Sequence, residues 1–202
     1  MRLYTRKGDS GKTFLFRSSR RLSKSDDVFH LLGELDLLNS LLSLVRVEAA
    51  KVELFENLPD LITSIQELIF VVGSEVNLGD RFNKSDRIGQ NEICQVECLI
   101  DHYWAKVGEL KSFIIPGNST IASLLHVARA LTRQVERRAV KVKTRLKLRS
   151  ELLAFLNRLS DLLFAMARYV DYRLSVEEKA WHLPDTLERF HSVCRRILSV
   201  GN

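Results

Sequence analysis

Proline and cysteine are both scarce in this sequence of 202 residues. Only three prolines occur, so long stretches of the chain are free of the residue that most strongly interrupts helices. The three cysteines, Cys94, Cys98 and Cys194, are too few and too odd in number to form a disulfide framework. We therefore expect a helical protein with reduced thiols.

Cys94, Cys98 and His102 follow one another at intervals of four residues and would share one face of a helix. Ligands that lie along the axis of one straight helix cannot surround an ion tetrahedrally. We therefore favour small buried thiols over a metal centre, and we predict no metal-ligating residues.

The chain also lacks an apolar signal segment near its N-terminus and any later apolar run of the length needed to cross a bilayer. We expect a cytoplasmic protein that does not contact a membrane.

Positive charge is concentrated in one segment. The net charge is +6, but residues 129–149 contain nine Lys or Arg and a single acid, Glu136, which gives this segment +8 and leaves −2 for the rest. A basic segment of this kind suits a phosphate-bearing ligand, a nucleic acid or a solvated helix face. These three interpretations stay open at this point.

Leucine recurs with a helical period over several long stretches, which predicts α-helices. The predicted helices cover residues 26–47, 59–76, 85–108, 120–141 and 151–173. A charged hinge is expected between the last two, and the tail, broken at Pro184, is expected to carry one more short helix. We therefore predict an all-α fold, a helical bundle, with residues 1–24 as an N-terminal loop, 25–173 as the bundle and 174–202 as a tail.

The stretch YTRKGDSGKT, residues 4–13, places Gly8 and Gly11 among cations that include Arg6 and Lys7. Closely spaced glycines let backbone N–H groups approach an anion, and the cations would supply countercharge. The spacing does not match that of the Walker P-loop. The strip is a candidate phosphate-binding loop, although a polar and poorly ordered N-terminus is the commoner explanation of such a pattern.

Arginine recurs along the fourth predicted helix, in HVARALTRQVERRA. Arg129, Arg133 and Arg137 lie at intervals of four and share one helix face, with Glu136 three residues after Arg133. Such a stripe is either a solvated face or part of an anion site.

The fifth predicted helix places Asn157, Ser160 and Asp161 within the apolar run FLNRLSDLLFAMARY. The first predicted helix adds Asp36 and Asn39 among leucines. Polar groups buried in a bundle core need partners, so these residues form either a structural network or a site. Asp36 is a plausible partner for one of the arginines.

Six short strings, in this order, resemble the PduO-type family of ATP:cob(I)alamin adenosyltransferases. They are YTRKGDSG, KSDD, GELDLLNS, FIIPG, HVARALTRQVERR and NRLSDLLF. The resemblance runs from residue 4 to about residue 170, and the last two strings are the most specific. It implies an enzyme that uses Mg²⁺ and transfers the 5′-deoxyadenosyl group of ATP to the cobalt of cob(I)alamin, giving adenosylcobalamin and triphosphate.

The resemblance further implies a five-helix bundle that forms a homotrimer, with active sites between neighbouring subunits. On the loop side, ATP would be held by Thr5, Arg6, Lys7, Gly8, Asp9, Gly11, Thr13 and Lys24. On the bundle side, ATP would be held by Arg133, Glu136, Arg137 and Asn157. Asp36 would pair with Arg129 at the subunit interface and the corrinoid site, and Phe113 would lie under the corrin ring and displace the lower axial ligand. The resemblance assigns catalysis to Asp36, Arg129, Arg133 and Phe113.

The chain departs from the family pattern at several positions. Gln134 stands where the family commonly has a second arginine, Lys7 replaces a usual threonine and Leu37 replaces a usual glutamate. Gln134 favours a second hypothesis, a non-catalytic trimeric paralogue that binds a nucleotide or a corrinoid as a sensor or carrier. A nucleic-acid-binding bundle ranks last, because the basic segment contains no aromatic platform. A corrinoid reductase and an adenosylcobalamin-dependent enzyme are the candidate protein partners.

Overall fold

A computed structural model describes residues 4, 6, 8–15 and 21–199. Within these residues the α-helices are α1 (Asp27–Ala49), α2 (Leu58–Leu78), α3 (Gln90–Val107), α4 (Thr120–Leu146), α5 (Ser150–Arg173) and α6 (Leu183–Ser199). Two short antiparallel ribbons accompany them: β1 (Lys12–Phe14) pairs with β2 (Arg21–Ser23), and β3 (Ile114–Ile115) pairs with β4 (Lys179–Ala180). The mostly helical fold is therefore confirmed, with two minor sheets that the sequence does not predict.

Polar caps and a proline determine where three helices begin. The carboxylate of Asp26 accepts a hydrogen bond from the backbone N–H of Val28 (3.0 Å) at the start of α1. The hydroxyl of Ser119 accepts one from the N–H of Ala122 (3.3 Å) at the start of α4. Pro59 lies in the first turn of α2, where a missing N–H leaves no helical bond unmade. These starts agree with the sequence predictions.

Helix α5 occupies the centre of the core. It packs against α3 and α4, while α1 packs against α4 and α2. Thirteen of its 24 residues are buried, and Phe155 is the largest side chain among them that solvent does not reach. Burial of one such large apolar side chain contributes about 1.5–3 kcal/mol. The polar residues that α5 carries into this core therefore need partners from other segments.

Three predicted boundaries are wrong. Helix α3 begins after Gly89 rather than near residue 85, because the carboxylate of Glu92 accepts a hydrogen bond from the N–H of Gly89 (2.8 Å) and caps the helix there. Helix α4 continues to Leu146 through the expected hinge, because Val142 still faces the core. Helix α6 has 17 residues and is longer than the short helix expected in the tail.

Two further expectations also need correction. By length and composition alone α1 and α2 could each cross a membrane, although the sequence was expected to hold no such run. This is weak evidence for a membrane span, because both helices contribute apolar side chains such as Leu31 and Ile62 to the shared core. The second correction concerns the thiols: Cys94 and Cys98 are exposed rather than buried, since Ile93 takes the core-facing position in that part of α3.

Acidic residues at the start of α1 pair with basic residues near the end of α4. Arg138 donates to Asp27 (2.8 Å), Lys141 also donates to Asp27 (3.0 Å), and Arg145 binds Asp26. Part of the basic segment therefore joins two helices, so its charge is partly neutralised within the chain.

Lowering the pH should weaken this contact between α1 and α4. The hydrogen bond from Arg145 holds the pKa of Asp26 below its usual value, and the bond from Lys141 does the same for Asp27. The folded protein then binds protons at these carboxyls less readily than the unfolded chain does. Their stabilising contribution is complete at neutral pH and is lost as the pH falls below about 4. The free energy of unfolding, measured by urea denaturation at low salt, should decline over that range.

A double variant provides the control for this prediction. Asp26→Asn combined with Asp27→Asn should remove part of the pH dependence, because the substituted amides do not titrate. Asp60→Asn, at an exposed position in the first turn of α2, should leave the pH dependence intact. An unchanged pH profile in the double variant would contradict the stabilising role of these pairs.

Candidate functional site

The N-terminal strip continues into a β-hairpin, and the second strand of this hairpin ends beside the glycines of the strip. Strands β1 and β2 place Thr13 opposite Leu22, and the N–H of Lys24 donates to the carbonyl of Gly11 (2.8 Å). Gly11 has a φ of 73°, a left-handed conformation that glycine adopts without strain. The hairpin therefore brings Lys24 beside the turn that contains Gly8 and Gly11.

The ammonium group of Lys24 lies against this turn. A Cβ atom at Gly8 would stand 3.2 Å from Nζ of Lys24, so a larger residue there would require the lysine tip to shift slightly. Asp9 is exposed and Thr13 is partly buried on the same hairpin. The N–H groups of Asp9 and Gly11 donate to the carbonyls of Arg6 and Gly8 within the turn. The turn presents a cation and a hydroxyl to solvent, which is a composition suited to an anion.

The structure gives less information on the other strip residues that the resemblance assigns to ATP. Arg6 is exposed, with its guanidinium 5.4 Å from the centre of the Tyr4 ring. Thr5 and Lys7 lie outside the described residues. The predictions for these two residues stay predictions.

Helices α4 and α5 bring together Glu136 and Asn157, two residues that the resemblance assigns to the same side of ATP. The side-chain amide of Asn157 donates to Glu136 (3.2 Å) and accepts a hydrogen bond from Arg158 (2.8 Å). Ser160 is buried and donates to the backbone carbonyl of Asn157 (2.8 Å). Asp161 is exposed, however, so the expected polar group within the core does not include it.

Two arginines of the stripe on α4 face solvent beside this pair. Arg133 and Arg137 are exposed, and neither forms an ion pair with another described residue. A shallow cavity of about 210 Å³ adjoins the stripe and is lined by Gln134, Arg137, Arg138 and Lys141. Two cations without an ion-pair partner among the described residues thus lie next to the Asn157–Glu136 hydrogen bond.

Glu34 on α1 is a residue that sequence reasoning missed. Its carboxylate accepts hydrogen bonds from Gln134 (3.0 Å) and from Arg138 (3.1 Å). The available signal was its position seven residues after Asp27, which places both acids on the face of α1 that meets the basic helix. Glu34 orients Gln134 where the family pattern commonly has an arginine.

Asp36 opens onto a second cavity, between α1 and α2. This cavity of about 260 Å³ is lined by Leu32, Leu35, Asp36, Asn39, Ile69, Phe70, Gly73, Ser74 and Asn77. The Asn39 side chain donates to the carbonyl of Gln66 (3.3 Å), and Gln66 donates back to the carbonyl of Asn39 (2.9 Å). Asn39 is therefore structural, whereas Asp36 is exposed and has no ion pair among the described residues.

Arg129 does not meet Asp36 within the described part of the chain. Its guanidinium lies 5.7 Å from the centre of the Phe164 ring, and its buried Nε atom has no hydrogen-bond partner there. Burial lowers the pKa of Arg129, and the neighbouring charge of Arg133 lowers this pKa further. Arg129 is a partly desolvated cation that lacks an anion, so its pairing with an Asp36 from another subunit stays a prediction.

Phe113 lies at the surface, immediately before β3. Its side chain is 80% exposed, so it does not plug the end of the bundle. The ring meets Trp181 edge to face at 6.4 Å between centroids, and the N–H of Trp181 donates to the carbonyl of Phe113 (2.7 Å). Sequence reasoning missed Trp181, because two paired strands of two residues leave no periodic signal.

A family model described as cobalamin adenosyltransferase matches residues 3–170. A match over this much of the chain defines its class, that of the cobalamin adenosyltransferases. The chain belongs to this family.

Curated relatives agree with this assignment. A corrinoid adenosyltransferase of Citrobacter freundii is 40% identical over 169 residues, which cover 83% of this chain and 93% of that protein. A corrinoid adenosyltransferase of Bacillus subtilis is 37% identical over 87% of this chain and 90% of its own length. The corrinoid adenosyltransferase PduO of Salmonella typhimurium is 38% identical over 96% of this chain, which spans only 56% of that longer protein.

Solved structures of one enzyme share the fold. A phenylalanine-to-alanine variant of the PduO-type ATP:corrinoid adenosyltransferase from Lactobacillus reuteri, complexed with cobalamin and ATP, superposes with a TM-score of 0.81 and 31% identity over 90% of this chain and all of that one. An arginine-to-lysine variant of the same enzyme, complexed with ATP, superposes with a TM-score of 0.80 and 31% identity, covering 89% of this chain and all of that one.

The loop between Phe113 and α4 should tolerate no side chain at Gly117. Gly117 has a φ of 82°, and a Cβ atom there would collide with the Ser123 side chain. Gly117→Ala should therefore reduce the free energy of unfolding by about 1–2 kcal/mol. Gly33→Ala, inside α1 with open space around the new methyl group, should be neutral or stabilising. Equal urea-denaturation midpoints for the two variants would contradict the strain assigned to Gly117.

Proposed function

We propose that the protein transfers the 5′-deoxyadenosyl group of ATP to the cobalt of cob(I)alamin or a related corrinoid. The observation that carries the proposal is the Asn157–Glu136 hydrogen bond, which joins the two most specific family strings beside the unpaired cations Arg133 and Arg137. A compact polyanion such as triphosphate suits this arrangement, because exposed guanidiniums bind phosphate oxygens with directional hydrogen bonds.

The reaction needs no proton transfer to create its nucleophile. The cobalt of cob(I)alamin attacks the 5′ carbon of ATP, a cobalt–carbon bond forms, and the carbon–oxygen bond to the triphosphate breaks with its electron pair going to the leaving oxygen. The tasks of the protein are to align the two substrates and to neutralise the charge that develops on the triphosphate. Arg133 and Arg137 perform the second task from the bundle, and Lys24 performs it from the hairpin.

The hairpin closes over the triphosphate from its other side. Gly8 and Gly11 let the turn approach phosphate oxygens closely, while Asp9 and Thr13 contribute polar side chains. Arg6 is assigned the same task, as are Thr5 and Lys7, which lie outside the described residues. The support for this assignment is the approach of Lys24 to Gly8, which places a cation on the glycine turn.

The donor set fits Mg²⁺ that arrives with the nucleotide. No group of three His, Cys, Asp or Glu side chains in the described ranges is arranged to hold a metal ion. Mg²⁺ usually binds through one or two carboxylates together with substrate phosphates and waters, so a preformed protein cage is not required. Asp9 is the exposed carboxylate of the hairpin that would complete such a shell. When bound, the ion would neutralise charge on the phosphates.

The corrinoid site requires a second subunit. Asp36 and Arg129 each lack an ion-pair partner among the described residues, and a pairing between copies would satisfy both. We assign α1 to α5 to a five-helix bundle that forms a homotrimer, with the corrinoid bound between neighbours. Phe113, exposed on the ribbon, then lies under the corrin ring and displaces its lower axial ligand.

The remaining assignments follow from the same proposal. Residues 1–24 form the phosphate-binding loop, 25–173 the bundle domain and 174–202 a tail, and the protein acts in the cytoplasm. A corrinoid reductase and an enzyme that uses adenosylcobalamin are the expected partners, because one supplies the Co(I) state and the other consumes the product.

A non-catalytic paralogue that binds the same ligands is the second candidate. The observation that favours it is the hydrogen bond from Gln134 to Glu34, which places a neutral amide where the family pattern commonly has a cation. A nucleic-acid-binding bundle is less well supported, because Arg138, Lys141 and Arg145 are paired with carboxylates of α1.

An anaerobic absorbance assay tests the proposed function. Chemically reduced cob(I)alamin is mixed with the protein, ATP and Mg²⁺, and ATP is omitted from the control. The transferase predicts ATP-dependent loss of the Co(I) band and a light-sensitive alkylcobalamin as product. Absence of reaction, combined with protection of the protein by ATP against thermal unfolding, would favour the paralogue instead.

Arg133→Ala should reduce kcat by about 100-fold or more, because one charge-stabilising donor to the leaving triphosphate is lost. Lys143→Ala removes an exposed cation from the same helix at a position outside the proposed site and should leave kcat unchanged. Sedimentation should show the same assembly for both variants. Undiminished turnover by Arg133→Ala would refute the role assigned to this arginine.

The proposed pairing between Asp36 and Arg129 can be tested by exchanging the charges. Asp36→Arg and Arg129→Asp should each weaken both the assembly and cobalamin binding, whereas the double variant should recover part of both, because the opposite charges meet again. Asp101→Arg, at an exposed position on α3, serves as the control for an added charge. A double variant no better than either single variant would speak against the pair. Sedimentation velocity and absorbance titration provide the two readouts.

A further inference from the structure

The ribbon that carries Phe113 is too short to hold its own shape. Strands β3 and β4 are joined by two residue pairs, Ile114 with Ala180 and Ile115 with Lys179. A two-stranded ribbon alone is at best marginally stable in water. The Phe113 side chain is also 80% exposed, so packing against the core does not orient it. Other contacts must therefore determine where this ring points.

Arg168 of α5 anchors the segments that lead into both strands. The side chain is only 3% exposed, and it donates from Nε and Nη2 to the two carboxylate oxygens of Glu178 (2.7 and 2.9 Å). Nη1 donates to the carbonyl of Gly108 (2.8 Å). Glu178 directly precedes β4, and Gly108 begins the segment that runs from the end of α3 to β3. One buried guanidinium thus binds both the segment that leads into β3 and the segment that leads into β4.

Asp171, three residues further along α5, binds the segment that follows β3. Its carboxylate accepts hydrogen bonds from the backbone N–H and the side-chain amide of Asn118 (3.3 Å each). The segment that carries Phe113 is therefore attached to α5 on both sides, at Gly108 and at Asn118. Strand β4 completes the arrangement, because the N–H of Trp181 donates to the carbonyl of Phe113 and their rings meet edge to face.

We infer that Arg168 and Glu178 are positioning residues that orient the Phe113–Trp181 aromatic pair toward the corrinoid. The inference rests on the proposed function, in which Phe113 lies under the corrin ring. The two parallel hydrogen bonds between Arg168 and Glu178 fix the start of β4 in direction as well as in distance. In this inference neither residue contacts the substrates, and both act through the ribbon.

Glu178→Gln tests this inference with little change of shape. The amide has one oxygen to accept a hydrogen bond, so the paired contact with Arg168 is lost. We expect kcat/KM for the corrinoid to fall about tenfold or more, while KM for ATP stays within about twofold of the parent value. Glu177→Gln is the matched control, because Glu177 is the adjacent exposed glutamate and forms no hydrogen bond among the described residues. It should behave as the parent does.

A second substitution separates positioning from general destabilisation. In a Phe113→Ala background, Glu178→Gln should change kcat/KM by less than about twofold, because the ring that Glu178 orients is already absent. An equal loss in both backgrounds, or an equal loss of ATP affinity, would overturn the inference. Arg168→Lys retains the charge without the two-pronged geometry and should give the same pattern of losses as Glu178→Gln. If Glu178→Gln fails to fold, Arg168→Lys replaces it in the test.

Cobalamin binding distinguishes failure of this inference from failure of the proposed function. Binding is followed by absorbance titration with cob(II)alamin, which requires no turnover. A parent protein that binds but does not react would refute the transferase, and the affinities of Glu178→Gln and Glu177→Gln would still decide the inference. A parent protein that neither reacts nor binds would overturn both.

Discussion

Burial of α5 is the constraint on which the other parts of the molecule depend. Several of its polar side chains are buried or partly buried, and an unsatisfied buried polar group costs about 1–3 kcal/mol. Asn157 therefore bonds to Glu136 of α4, and Arg168 bonds to Glu178 of the tail. Each bond holds a segment outside the centre of the core. The candidate site consists of such outer segments, so the central helix sets its geometry although little of that helix is exposed.

Helix α4 divides its positive charge between two roles. Arg138 and Lys141 face the acids of α1 and join the two helices, whereas Arg133 and Arg137 have no ion-pair partner among the described residues. The net charge of the whole segment therefore overstates what is available to a ligand. The two arginines without an ion-pair partner form a compact group next to Glu136. This arrangement suits a small polyanion better than an extended nucleic-acid backbone.

Much of the fold could be predicted from the sequence, because core-facing leucines repeat with the helical period and Ser119 marks a helix start by its own chemistry. The expected hinge was wrong because a run of cations hides the fact that Val142 still faces the core. Glu136 and Asn157, which the resemblance assigns to the same side of ATP, are hydrogen-bonded to each other, and their role in binding ATP stays a prediction. Glu34 was missed because its partner Gln134 lies 100 residues away, and Trp181 was missed because only strand pairing brings it to Phe113. Contacts of this kind depend on tertiary structure and leave no local pattern.

The described chain leaves groups unsatisfied where the proposed neighbouring subunit would meet it. Arg129 is partly desolvated, and burial lowers its pKa, which means that its charged form is disfavoured until an anion approaches. A carboxylate from a neighbour would relieve this cost, and so would an anionic ligand. If Asp36 of a neighbour is the anion, assembly removes the cost before the corrinoid arrives. Assembly and corrinoid binding are then thermodynamically linked, since each favours the arrangement of charges and exposed aromatic rings that the other requires.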